Sequence, residues 1–192
     1  MRLVLIRHGR TEANEQRLYC GSTDIGLSEA GRNQLLECKR TLDYPDIKGL
    51  RKITSGMRRT DETMRILFDS EPELRMECLR EMNFGRFEMH SYEQLCSDSD
   101  YQAWICDETG DFLTPGGESA NGFQRRIIEA ASQISEDALI VCHGGVIAAL
   151  MAHWFPGEGK NMYQWQPEGG CGYVVDFQGD ELRWRSIALK GS

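Results

Sequence analysis

Leu3-Val4-Leu5-Ile6-Arg7-His8-Gly9 places four consecutive aliphatic side chains directly before an arginine, a histidine and a glycine. The run is too short for a helix and too apolar for a strand with one wet face, so it predicts a strand buried on both sides. A second such run, Ala138-Leu139-Ile140-Val141-Cys142, leads into His143-Gly144-Gly145 and an apolar stretch that predicts a helix. In open α/β sheets ligands bind outside the carboxyl ends of the strands, which is where both histidines would stand. Taken alone, Arg7-His8-Gly9 is equally compatible with a surface loop.

Between these runs the pattern alternates. Ser28 predicts the cap of a helix carrying Leu35, Leu36 and Leu42 on one side, ended by Tyr44-Pro45 and Gly49. Lys52-Ile53-Thr54-Ser55 predicts a short strand, followed by a helix from Thr60 to Phe68 that stops at Glu71-Pro72. Phe123, Ile127, Ala131 and Ile134 recur at helical spacing, which predicts an amphipathic helix near 119–135. Tyr173 to Phe177 and Leu182 to Leu189 flank Gln178-Gly179-Asp180 and predict an antiparallel hairpin. This βαβα rhythm points to a three-layer α/β/α domain with a mostly parallel central sheet, a single domain over 1–192. The segment from about 84 to 117 interrupts the rhythm. Its aromatics, among them Phe84, Phe87, Tyr92, Tyr101 and Trp104, predict a short helical insertion, either a lid over a ligand or a small satellite core.

The net charge of −8 argues against a general nucleic-acid binder. A small anionic substrate is compatible with it, because a local arginine cluster dominates the field inside one cleft. The seven cysteines are scattered and follow no zinc-like spacing, and no apolar stretch reads as a signal peptide or a membrane span. A reducing cytoplasm is expected, with no membrane partner. Oligomeric state is not legible.

The two histidine-bearing strand ends, and the helix N-terminus after the second, outline an anion site. Ser55-Gly56-Met57-Arg58-Arg59-Thr60 brings arginines to a third strand end. Arginine engages phosphate oxygens with a planar fork, so Arg7 and either Arg58 or Arg59 could clamp one phosphoryl group. The alternative is a solvated charge pair, though cations at a helix start are mildly unfavourable.

These residues carry a resemblance. Arg7-His8-Gly9-Arg10-Thr11-Glu12-Ala13-Asn14 resembles the RHGxTxxN opening of the histidine phosphatase (phosphoglycerate mutase-like) superfamily. Thr54 to Thr63 resembles its SSPLxRAxxT segment, Glu81 to Glu88 its ExxFGxWE stretch, Gly117-Glu118-Ser119 with Arg126 its GESxxxxxxR, and His143-Gly144-Gly145 its HGG. Phe87-Glu88-Met89, Tyr101-Gln102-Ala103-Trp104 and Gly169-Gly170-Cys171 look most like the α-ribazole phosphatases within it. Three positions depart from the broad pattern: Gly56 stands for proline, Phe87 for tryptophan and Met89 for glycine. The first two are expected to alter backbone stiffness and packing rather than chemistry.

The resemblance implies a phosphoglycerate mutase-like fold and a phosphomonoesterase that acts on a small phosphorylated substrate through a phosphohistidine. It implies His8 as nucleophile, and Arg59 rather than Arg58 as phosphate ligand together with Arg7, Asn14, His143 and Gly144. It also implies Glu81 as acid and base, with Glu88 as the rival carboxylate. A metal held by His8, His143 and Glu81 is disfavoured by the adjacent Arg7 and Arg59, so no cofactor is expected. His90 and His153 carry no motif and are expected to be ordinary, partly buried residues. Other readings are a broad-specificity histidine phosphatase, a phosphoglycerate mutase, and a non-catalytic phosphate-binding regulator. A serine hydrolase is disfavoured by the absence of a GxSxG elbow.

Overall fold

A computed structural model describes residues 1–179 and 181–191. In chain order it contains β1 (Arg2–Arg7), α1 (Glu12–Glu15), α2 (Glu29–Thr41), β2 (Arg51–Thr54), α3 (Arg58–Phe68) and β3 (Leu74–Arg75). Two 3-10 turns follow, then α4 (Tyr92–Leu95), α5 (Ser99–Ile105), α6 (Ala120–Ser132), β4 (Ala138–Cys142) and α7 (Gly144–Trp154). The chain closes with α8 (Met162–Trp165), β5 (Gly172–Gln178) and β6 (Glu181–Ser186). The strands form one sheet in the order β3-β2-β4-β1-β5-β6, parallel except where β5 pairs with β1 and with β6. Of the expected hairpin turn, Asp180 lies outside the described residues, as does Ser192 at the end of the chain.

The continuous apolar runs have the predicted cause. Leu3 and Leu5 face a cluster built with Ile127 of α6 and Ile147 of α7, whereas Val4 and Ile6 face Leu35 of α2 and Met64 of α3. Successive strand side chains alternate faces, so covering both faces with helices requires every position of the strand to be apolar. α7 is buried almost all round, as a helix sandwiched between the sheet and α6 and α8 must be. Among the described residues no helix is long and apolar enough to cross a membrane.

Several boundaries differ from the sequence expectation. Leu36 does not share the buried side of α2 and is 55% exposed. α3 begins at Arg58, not Thr60, and the hairpin ends at Ser186. Ile134 is buried beyond the end of α6. Gly56 has φ +78°, a conformation closed to a proline ring, so this departure changes the backbone path rather than its stiffness alone. Met89 has φ +60°, where a side chain carries a steric cost and glycine does not.

The interruption at 84–117 holds α4 and α5. Phe87, Leu95 and Tyr101 are buried together as a satellite core, with Tyr19, Phe84 and Trp104 packed against it. Tyr19 ties this unit to the main body: its carbonyl accepts from Met89 N–H at 2.7 Å, and its N–H donates to His90 O at 3.0 Å.

Candidate active site

The register of β1 against β4 pairs Arg7 with Cys142, so the next residue of each strand, His8 and His143, emerges side by side. Their rings lie 5.1 Å apart between centroids. His8 Nδ1 is 2.6 Å from Gly9 O. A carbonyl only accepts, so Nδ1 carries the proton and Nε2 keeps its lone pair. Burial, then the positive charge of Arg59 and Arg7, holds the His8 pKa well below its usual value despite the Gly9 bond. His143 is lowered in the same sense, by burial first and then by Arg59, His8 and Arg7. Both rings are therefore neutral near pH 7.

Arg7 donates through Nη1 to Pro167 O at 2.8 Å. A side chain at residue 144 would bring its Cβ within 3.1 Å of the Arg7 guanidinium, so Gly144 is what admits the arginine to the start of α7. Gly145 does the same for Glu81. Its N–H donates to Glu81 Oε2 at 2.9 Å, and a Cβ there would collide with Oε1. Glu81 also accepts from Met82 N–H at 3.1 Å. Burial nonetheless outweighs these bonds and the nearby Arg59 and Arg7, and raises the Glu81 pKa.

Arg59 is fully buried behind this group. Its two terminal nitrogens donate to Gly21 O at 2.7 Å and Thr23 O at 2.9 Å, and Nε has no partner. Arg58, by contrast, points to solvent beside Glu62. Asn14 sits at the rim, with Oδ1 accepting from Thr11 N–H and Oγ1–H in the capping box of α1, an arrangement that turns its amide donors away from that turn.

Arg7, His8, Asn14, Glu81 and Gly144 line a cavity of about 340 Å³. Its other walls are largely apolar, with Tyr19, Phe84, Trp104, Phe123 and Met162 among them. Phe84 and Trp104 thus face both the cavity and the satellite core, whereas Tyr92 is 55% exposed and lines no part of the cavity. Arg59 and His143 do not line it; they lie fully buried in the wall behind His8.

Glu88 takes a different place from Glu81. Its carboxylate accepts from the backbone N–H groups of Gly21, Ser22, Thr23 and Phe84, and from the Thr23 hydroxyl at 2.6 Å. The Gly21–Thr23 turn therefore hands its N–H groups to Glu88 and its carbonyls to Arg59. His90 and His153 are exposed, not partly buried, since they sit on a loop and on the outer face of α7.

Four contributions were not read from the sequence. Ser55 Oγ lies 2.8 Å from His143 Nε2. Arg126, held by Glu118, donates to the carbonyls of Cys78 and Arg80 and so fixes the loop that presents Glu81. Pro167 and Tyr19 complete the list. Ser55 and Arg126 lay inside quoted motifs, but their partners, distant in sequence, were not legible there. Among the described residues no group of three His, Cys, Asp or Glu side chains is arranged to hold a metal ion.

The sequence pattern of the histidine phosphatase superfamily (branch 1) matches residues 3–190. The adenosylcobalamin/α-ribazole phosphatase of Salmonella typhimurium is 30% identical over 186 residues, 92% of this chain and 91% of that protein. A 2,3-bisphosphoglycerate-dependent phosphoglycerate mutase of Bartonella henselae is 27% identical, over 78% of this chain and 79% of that protein. Among solved structures, the α-ribazole phosphatase from Shigella flexneri superposes with a TM-score of 0.83 at 29% identity, covering 97% of this chain and 96% of that one.

Proposed function

Since the chain belongs to the histidine phosphatase superfamily (branch 1), we propose that it is a phosphomonoesterase that works through a phosphohistidine at His8 and takes α-ribazole 5′-phosphate as substrate. The observation that carries the reading is the pairing of a neutral His8, its Nδ1 bound to Gly9 O at 2.6 Å, with a partly buried Glu81 whose pKa is raised. One group is a nucleophile with its Nε2 lone pair free, and the other is a carboxyl whose hold on a proton is strengthened by burial.

In the first step His8 Nε2 forms a bond to phosphorus while the ester P–O bond breaks, and Glu81 passes its proton to the leaving oxygen. In the second, Glu81 as carboxylate takes a proton from water, the hydroxide oxygen bonds to phosphorus, and the P–N bond to His8 breaks. Arg7, Arg59, His143, Asn14 and the Gly144 amide stabilise charge on the transferring phosphoryl group, which is where most of the catalysis in phosphoryl transfer arises. Arg59 keeps one buried donor without a protein partner, Nε, for this role.

The apolar walls support the substrate assignment. Phe84 and Trp104 line the same cavity as His8 and give it aromatic surface suited to a flat base such as a benzimidazole. The relatives named adenosylcobalamin/α-ribazole phosphatase, alike over nine-tenths of the chain, support it independently. The insertion at 84–117 then serves both as satellite core and as the substrate-facing lid of a single domain.

The test is a substrate panel. The expected result is a higher kcat/KM for α-ribazole 5′-phosphate than for 3-phosphoglycerate, sugar phosphates or simple nucleotides. A flat profile would leave a broad-specificity phosphatase, and no hydrolysis even of p-nitrophenyl phosphate would leave a phosphate-binding regulator.

A further inference from the structure

Ser55 is fully buried where β2 ends, and its hydroxyl stands between two side chains. His143 Nε2 is 2.8 Å away on one side, and Thr60 Oγ1 is 3.2 Å away on the other. Thr60 donates its only hydroxyl proton to Met57 O at 2.7 Å, so toward Ser55 it acts solely as an acceptor. Ser55 therefore gives its one proton either to Thr60 Oγ1, in which case the imidazole donates to it from Nε2–H, or to His143 Nε2, and the shorter contact is to the imidazole. The other nitrogen of His143, Nδ1, is buried and has no partner in the protein.

We propose that Ser55 is a positioning residue: its Oγ–H donates to His143 Nε2 and holds the neutral ring as the Nδ1–H tautomer, leaving Nδ1–H to donate to a phosphoryl oxygen. The opposite tautomer would use Nε2–H to donate to Ser55 and turn a bare Nδ1 lone pair toward an anion, which repels it. The need for a device of this kind follows from the surroundings. An imidazolium has donors on both nitrogens and needs no such control, but burial and the charges of Arg59 and Arg7 keep His143 neutral. A neutral ring donates from only one nitrogen, and the partner of the other nitrogen decides which. The catalytic part of this proposal rests on the phosphohistidine reading; the tautomer part does not.

The experiment is ¹⁵N NMR of the histidine rings of the full-length protein without ligand, the His143 signals being assigned by their loss in His143→Gln. The expected result is a protonated Nδ1 and an unprotonated Nε2, with proton density redistributed to Nε2 in Ser55→Ala. Alongside it, kcat/KM for p-nitrophenyl phosphate should fall about 10²- to 10⁴-fold in Ser55→Ala, the range seen for lost charge-stabilising donors and misplaced tautomers. Ser55→Thr, which keeps the hydroxyl, should restore most of it. A wild-type ring protonated on Nε2, in a protein that is labelled at His8 during turnover, overturns the role of Ser55 and spares the hydrolytic reading. Failure of His8 to be labelled overturns that reading and the use made of the tautomer, whichever nitrogen carries the proton. If Ser55→Ala does not fold, the wild-type spectrum decides.

Discussion

The Nδ1 atom of His8 lies 2.6 Å from the carbonyl oxygen of Gly9, the residue that follows it. The backbone of the strand end thereby fixes the tautomer of the side chain it presents. The chemistry proposed for the site depends on that contact, because it is what leaves Nε2 unprotonated.

The ionisation of two groups sets the pH profile. His8 must be neutral to attack, and its pKa lies well below the usual 6.5, so the acid limb of kcat/KM falls below that pH. Glu81 must be protonated to assist the leaving group, and burial raises its pKa above the usual 4.5. Activity should therefore decline as pH rises through that raised value. In Glu81→Gln the alkaline limb should disappear and the acid limb remain, as read from kcat/KM against pH.

Gly145→Ala tests the seat of Glu81, because its new Cβ would drive the carboxylate off the α7 N-terminus. With alkyl phosphates, which need a protonated leaving oxygen, kcat should fall on the order of 10²-fold, the lower end of what a general acid supplies. With p-nitrophenyl phosphate, whose leaving group needs no proton, the loss should be much smaller. Equal losses on both substrates would separate Glu81 from the acid role.

Glu88→Gln should behave differently from Glu81→Gln. Its carboxylate holds the Gly21–Thr23 turn that in turn holds Arg59. Weakening charge-assisted bonds to that turn should cost about 1.5–3 kcal/mol of stability, measured by denaturant unfolding. It should also raise KM through a loosened Arg59, and leave the alkaline limb of the pH profile in place.

Trp104→Leu tests the aromatic wall. The ratio of kcat/KM for α-ribazole 5′-phosphate to that for a sugar phosphate should drop about tenfold or more, the scale of an altered apolar pocket. The ratio is informative even if the satellite core around Trp104 is weakened, since loss of folded protein lowers both values together.

What was legible in the chain was what local pattern dictates. β1 and β4 could be read because two helical layers force every strand position to be apolar, and their shared ending revealed the His8–His143 pair. β3 could not, since Leu74 and Arg75 are both exposed and only two residues long. α1 and α8 also escaped, as did the bounds of α4 within the expected helical insertion. Each is four residues long and made by a capping box, at Thr11 and Asn14, Ser91 and Gln94, and Asn161 and Gln164, so no amphipathic period exists to be read. At the site, residue types named the candidates, but partners distant in sequence assign their places. Glu81 and Glu88 are seven positions apart in one motif. Only the arrival of Gly145 at one and the Gly21–Thr23 turn at the other separates a cavity acid from a structural anchor.

The most direct test of the phosphohistidine is rapid quenching during turnover of α-ribazole [³²P]5′-phosphate, followed by mapping of the label. The account predicts an acid-labile, alkali-stable phosphoryl group on the peptide containing His8, formed and lost at rates that match turnover, and none in His8→Ala, which should also be inactive. Turnover by the wild-type protein without label on His8, or an active His8→Ala variant, would contradict it.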